Sequence, residues 1–568
     1  MRVVRARASG IVLGAILLVA ACAPQRTEAP AASAPVAPAP APPKILTIVQ
    51  LREPGTFEGY TGVGGGLGGV EAEANLAMNH LVVSDNPGEF RPQLATELPS
   101  VEKGTWRVNA DGSMDVTWKI QSNAVWHDGT PFTSADLAFA WRVNRDPDLP
   151  TALQSIVTLM DNVTAPDATT LQAHWSRVYV NALNADGLTP LPRHILEDLY
   201  NRDKQAFSQS AFFTTEYVGL GPYRLSSWTP GAQMEFVRFD KYFLGRPPLD
   251  KVVVRYIGDS NTSIANIMAG QVDVVLPTAV QWEGALTVRR QWEGTKNQVL
   301  IAPQDTAEVL MPQYRPEAAQ PKQFGPAQDR TVRAALYHAL DRQSIADTVT
   351  GGLSPLADSW ISPQDMLRRD VESAIPQYPY DPARAQQLLA QVGWNRGGDG
   401  ILVHSQTGER FELPVWSRPA TGGEQELLLI TENFKQLGID ASVNVITGAQ
   451  SSDRTFEATR PGVSLTKPGA SMWPGPRAHS KEIASEANRW TGQNKFAYSN
   501  PRFDALVDRF LATIDGRERV QLERQLVQEG LGDVMNMPIF WYVRTTLALE
   551  NVKLGNGFMT SMFEWNKQ

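Results

Sequence analysis

Apolar and polar positions along the chain fall into short segments of two kinds. Some are continuous or alternating apolar runs, the mark of strands. Ile45 to Leu51 is continuous, β-rich and predicts a buried strand. Met114 to Ile120 and Met234 to Phe239 alternate, and Val252 to Ile257 is mostly apolar. Others repeat at three and four residues, the mark of amphipathic helices. Glu71 to Val83 predicts one. Asp329 to Leu340 places Val332, Ala335, Leu336, Ala339 and Leu340 on one face, and a helix opened by Asn500-Pro501 does the same with Phe503, Leu506, Val507, Phe510 and Leu511.

Punctuation sharpens these boundaries. Asp111-Gly112 and Asp128-Gly129 are tight turns. Thr133 with Asp136 three residues on is a helix-opening cap, leading into Leu137, Ala140 and Trp141. Gly270 stops a helix over Thr262 to Ala269, and Gln271 to Val275 returns as a strand, so Val252 to Val275 predicts a strand–helix–strand unit. Asp381-Pro382 starts a helix that Gly393 ends, and Gly438 ends one over Glu424 to Leu437 ahead of a strand to Val445. Strands alternating with helices indicate an α/β fold.

The first 43 residues obey neither period. Arg2, Arg5 and Arg7 precede an apolar run from Ile11 to Ala20, then Ala21-Cys22. Positive charge, apolar run and small residues are the order of a secretory leader. The run is about half of the roughly 20 residues that span a bilayer. Its small-small-Cys ending resembles a bacterial lipobox, which makes residues 1–21 a leader and Cys22 a lipidation site and membrane anchor. Seven of the 21 residues from Ala23 to Pro43 are proline. Such a segment buries no core and favours extended polyproline II, so residues 22–43 form a tether.

Composition narrows the function. Cys22 is the only cysteine of 568 residues, so no intrachain disulfide forms. A formal charge of −8, more acidic once the leader is gone, argues against nucleic acid, which needs a basic surface. The length suits two or more lobes. Gly64-x-Gly66-x-x-Gly69 fits a dinucleotide pattern only formally, since no strand runs into it. No Gly-x-Ser-x-Gly, His-Glu-x-x-His or Walker sequence occurs, and the seven histidines show no ligand spacing. No catalytic residue, metal site or cofactor is expected, and His127 beside Asp128 is read as part of a turn that locks strand to helix.

Five stretches then point one way: Trp126-His127-Asp128-Gly129-Thr130-Pro131-Phe132-Thr133 with Asp136; Gly219-Leu220-Gly221-Pro222-Tyr223 through Trp228-Thr229-Pro230-Gly231, Tyr242-Phe243-Leu244-Gly245 and Ala269-Gly270-Gln271-Val272-Asp273; Val332-Arg333-Ala334-Ala335-Leu336 with Leu340-Asp341-Arg342; Tyr378-Pro379-Tyr380-Asp381-Pro382 with Gly393-Trp394; and Tyr498-Ser499-Asn500-Pro501 with Asp504. In this order they resemble family 5 of the bacterial extracellular solute-binding proteins, the oligopeptide-, dipeptide- and nickel-binding components of ABC importers.

The resemblance implies a two-lobed α/β periplasmic-binding-protein fold of type II, cluster C-like, with a hinge of two crossover strands. Lobe one is expected at 44–305 with an extra subdomain near 80–215, lobe two at 306–530, and a C-terminal return at 531–568. The implied function is capture of a peptide or peptide-like solute by hinge closure and delivery to ABC permease subunits. The protein is then an extracytoplasmic monomer on a lipid anchor. A receptor or chaperone of the same fold, or an extracytoplasmic enzyme, are the alternatives. Many peptide-binding members carry an acidic loop for the ligand's amino group. Ser464 to Arg477 has no carboxylate and two cations, Lys467 and Arg477, so a free amino terminus finds no counter-ion there and an anionic or neutral polar ligand is as open as an amino-terminal one. Solute contacts are expected from Glu53 and Phe57 after the first strand, from Trp416 and Arg418, and from Trp473 and Arg477 in the divergent segment.

Overall fold

A computed structural model describes residues 42–57, 71–86, 89–149, 154–323, 325–418, 423–467, 477–555 and 558–568. The leader, Cys22, most of the tether, the Gly62 to Gly69 cluster and Trp473 lie outside the described residues.

One ten-stranded sheet runs through the molecule. From one edge its strands are Asp440–Val445, Glu412–Ser417, Val463–Thr466, Gln298–Pro312, Met537–Ala548, Val274–Val275, Ile45–Gln50, Lys251–Tyr256, Gln233–Arg238 and Tyr223–Thr229. Ile45–Gln50 is covered on both faces, which is why its apolar residues run on without alternating. Leu46, Ile48 and Val49 are fully buried. The predicted strand–helix–strand unit is present as Lys251–Tyr256, helix Ser260–Met268 and Val274–Val275, but Ile45–Gln50 lies between its two strands and pairs in parallel with both. The returning strand is shorter than expected. Asp273 N still donates to Thr47 O at 2.8 Å, and the Asp273 side chain accepts from Thr47 N at 2.8 Å and meets Lys567 at 2.9 Å.

The two central strands are the long ones. Gln298–Pro312 and Met537–Ala548 pair antiparallel, with a register break between Pro303 and Ala307. One end of each belongs to each half of the sheet. Separate apolar cores flank these halves, one holding Phe57, Tyr223, Phe236 and Trp565, the other Leu336, Val415, Phe434 and Phe540. Burying a side chain such as Phe236 contributes roughly 2 kcal/mol. The molecule is thus a two-lobed α/β fold crossed by two strands. A four-stranded antiparallel sheet, Trp106–Val108, Met114–Lys119, Thr170–Trp175 and Met160–Asp167, forms a further layer with its own core of Trp118, Trp126 and Trp175.

Most of the sequence blocks serve this frame. The helix predicted over Glu71 to Val83 ends at Ala77, and Val82–Asn86 is a strand. Its last carbonyl, Ala77 O, accepts from Gly221 N at 3.0 Å. That approach requires glycine, because a Cβ on Gly221 would lie 2.3 Å from Leu76 O. His127 closes the same junction: Gly219 N donates to its Nδ1 at 3.1 Å, and its Nε2 stands 2.9 Å from Gly221 O. Arg333, buried, donates to Asp533 O and Pro326 O, while Arg342 donates to Ala357 O and Tyr378 O.

Candidate functional site

Strand direction locates the site. Ile45–Gln50 is parallel to Lys251–Tyr256 and Val274–Val275, and this set meets Met537–Ala548 antiparallel, with Val275 opposite Leu547. Glu412–Ser417 is parallel to Asp440–Val445 and Val463–Thr466, and this set meets Gln298–Pro312 antiparallel, with Thr466 opposite Val309. Both sets therefore aim their carboxyl ends at the middle of the crossover pair, near Pro303 to Ala307. In open α/β sheets ligands settle where carboxyl ends face a change of strand direction.

On the first lobe this rim is held by a buried carboxyl. Glu73 lies in helix Glu71–Ala77 and accepts from Gln50 Nε2 at 3.1 Å and from the Tyr256 hydroxyl at 2.8 Å. Gln50 and Tyr256 are the last residues of their strands. Burial pushes Glu73 up to about 7. Glu53, expected to meet solute, accepts from the Trp228 indole N–H and from Gly231 N at 2.8 Å. Phe57 is buried in the lobe core and stacks on Tyr217 with ring centres 4.3 Å apart.

At the crossover stands a second buried group. Glu308 is fully buried and accepts from the Tyr542 hydroxyl. Lys467, one residue past the carboxyl end of Val463–Thr466, places Nζ 3.7 Å from Glu308 Oε2. Glu426, buried in the first turn of helix Gly423–Gln436, interacts with Glu308. Burial raises both carboxyls, and the charge of Glu308 raises Glu426 further. Two such carboxyls do not both ionise readily.

The second lobe contributes a cationic wall. Arg418 follows strand Glu412–Ser417 and donates to Glu457 Oε2 at 2.8 Å. Arg460 and Lys495 approach the same oxygen at 3.3 and 3.8 Å. Arg477 is half-buried, with an Nε that finds no hydrogen-bond partner among the described residues, and burial lowers its pKa. Trp416 donates from its indole to Pro461 O at 2.9 Å and meets Phe456 edge-on. Of the expected contacts, Arg418 meets Glu457, which Lys495 also approaches, and Trp416 lies two residues before Arg418. Glu53 and Phe57 are engaged within lobe one.

Sequence reasoning missed Glu73, Glu308, Glu426 and Glu457. One signal was available for Glu308: it is the sole charge in Ala307-Glu308-Val309-Leu310-Met311, an otherwise apolar run. Its partners Lys467 and Tyr542 are too distant in the chain to be inferred from spacing.

The family model described as "Bacterial extracellular solute-binding proteins, family 5 Middle" matches residues 89–482. The chain belongs to this family. It is a solute-binding protein, and the family's members work outside the cytoplasm as binding proteins rather than enzymes. The chain is 24% identical over 531 residues to the oligopeptide-binding protein AppA of Bacillus subtilis, covering 89% of this chain and 88% of AppA. The structure of that AppA with a nonapeptide aligns at a TM-score of 0.69 and 20% identity, over 93% of this chain and 100% of AppA. NikA of Brucella suis with Fe(III)-EDTA aligns at 0.72 and 16% identity, over 92% of this chain and 100% of NikA. No described helix is long and apolar enough to cross a membrane.

Proposed function

We propose that this protein captures a peptide or peptide-like solute between its two lobes and delivers it to the permease of an ABC importer. The observation that carries this reading is the convergence of two parallel strand sets on the middle of the crossover pair. Closure is by hinge motion about Pro303 to Ala307 and the facing Trp541 to Val543, where the ladder is interrupted. Lobe one is taken as 44–305 with the 80–215 subdomain, lobe two as 306–530, and the chain returns to lobe one along the crossover strand within 531–568, whose first part packs in the lobe-two core. AppA, a relative, is named for binding oligopeptides, which supports the solute class.

Cys22 carries lipid in this reading, and the proline-rich tether holds a monomeric body clear of the membrane. The reading assigns no catalytic step. Two measurements test it. Cys22→Ala should move the protein from membrane to soluble fractions and abolish palmitate labelling; unchanged membrane association contradicts the anchor. Tryptophan fluorescence against a panel of di- to nonapeptides should show a saturable change, and a flat response across the panel contradicts peptide capture.

A further inference from the structure

Where lobe two meets the crossover strands, folding brings together two buried carboxyls and one ammonium. Glu308 is fully buried on Gln298–Pro312, and Glu426 is 2% exposed in the first turn of helix Gly423–Gln436. Lys467 Nζ stands 3.7 Å from Glu308 Oε2, and the Tyr542 hydroxyl, on the other crossover strand, donates to the same oxygen. Oε1 of each carboxyl is buried and without a hydrogen-bond partner among the described residues.

Fully ionised, this cluster has one negative charge too many. Helix Gly423–Gln436 also packs on strands Glu412–Ser417 and Asp440–Val445 and on helices Arg330–Ala339 and Arg342–Thr350, but among the described residues only Glu308 and Lys467 bring a charge to bear on Glu426. Segments 419–422 and 468–476, which adjoin the cluster in the chain, contain no charged residue. Tyr542 stays a protonated donor, first through burial and then through the two carboxyls. A buried charge without a partner is costly, so the cluster reaches neutrality by taking one proton from solvent. That proton belongs on Glu426. Burial opposes its ionisation, the charge of Glu308 adds to this, and Lys467 is the smaller counterweight. On Glu308 burial is partly offset by Lys467 and the Tyr542 hydroxyl.

We infer that Glu308 and Glu426 hold one proton between them and form a pH-sensitive latch fastening helix Gly423–Gln436 to the crossover strands. With the proton in place, a neutral Glu426 lies beside the Glu308–Lys467 pair. When it returns to solvent, two buried carboxylates repel each other with a single ammonium to serve both, and the first turn of the helix gives way. The latch holds in acid and loosens as pH rises through about 7, the raised value of Glu308. The lobes hinge on these strands, so the latch sets how firmly lobe two is mounted on its hinge. This goes beyond solute capture and is tested without solute.

Hydrogen exchange of the mature, solute-free protein, read by mass spectrometry at pH 6 and 8.5 and corrected for the intrinsic pH dependence of exchange, reports local opening. Protection of 423–436 and of the facing parts of 298–312 and 537–548 should fall about tenfold at the higher pH, the effect of one pKa unit. Glu426→Gln, which puts a neutral amide where the protonated carboxyl stood, should keep the protection seen at pH 6 and lose its pH dependence. Glu73→Gln, in lobe one, should leave the lobe-two dependence as in wild type. Protection in wild type that is equal at both pH values overturns the latch, whether or not a variant folds. So does a fall that persists in a Glu426→Gln protein with wild-type circular dichroism. Either outcome leaves solute capture standing, which fails only if no peptide or native solute binds at either pH.

Discussion

Lys467 Nζ stands 3.7 Å from Glu308 Oε2 and 4.5 Å from the centre of the Tyr542 ring. This contact joins the end of a lobe-two strand to both crossover strands at the point where they change lobes. The ammonium favours the ionised form of Glu308, against burial. Lys467→Met removes that support and raises the carboxyl further. A raised carboxyl contributes stability that is full below its unfolded value and is lost as pH rises through its folded value. The variant should therefore lose Tm more steeply than wild type between pH 6 and 8, and Glu308→Gln should flatten the slope.

Glu73 gives the same sign on the first lobe with simpler partners. Its carboxyl is pushed from 4.5 up to about 7, first by burial. The native state holds its proton where the unfolded chain has released it, so stability falls as pH rises from about 4.5 through 7. The linked effect is on the order of 3 kcal/mol. Glu73→Gln keeps the contacts to Gln50 and Tyr256 in reach without the charge. Unfolding at pH 5, 6, 7 and 8 should show a shallower decline for the variant.

His127 titrates in the opposite sense. Burial lowers it to about 4, and with Gly219 N donating to Nδ1 the proton sits on Nε2, facing Gly221 O. A depressed histidine contributes stability above its unfolded value, near 6.5, that is lost as pH falls toward 4. His127→Phe leaves Gly219 N without its partner and should cost about 1–3 kcal/mol in urea unfolding. Peptide affinity, measured well below the unfolding transition, should stay unchanged, since the ring belongs to the frame.

Gly221→Ala places a Cβ 2.3 Å from Leu76 O and 2.5 Å from Ala77 C, both backbone atoms that move only with their helix. Overpacking of this kind costs about 1–3 kcal/mol. Gly258→Ala, with nothing within 4 Å, serves as the control and should change stability by less than about 0.5 kcal/mol. Paired urea titrations read both.

Local punctuation made much of the fold legible. Thr133 N donates to Asp136 Oδ2 at 2.8 Å, Arg384 N to Asp381 Oδ1 at 2.8 Å, and Gly270, Gly393 and Gly438 all have the positive φ their stop signals require. These features depend on three or four neighbouring residues, which a sequence displays directly. The failures share a different cause. The Glu71 helix stops early because Gly221, far along the chain, takes the carbonyl of Ala77. Gln298–Pro312 changes both its neighbours and its burial at the register break, so no single period marks it as one strand. Of the site, the cations were legible: Arg418 one residue past Glu412–Ser417, and Lys467 and Arg477 in the divergent segment. Glu457, which meets Arg418, and Glu308, which meets Lys467, come from separate elements brought in by folding.

Solute capture by lobe closure is tested most directly by small-angle X-ray scattering of the mature protein purified from its own cells. Curves are recorded before and after the native solute is stripped by unfolding and refolding. Closure about the crossover strands predicts a larger radius of gyration after stripping, reversed when the released solute is returned. Superimposable curves in all three states would contradict it.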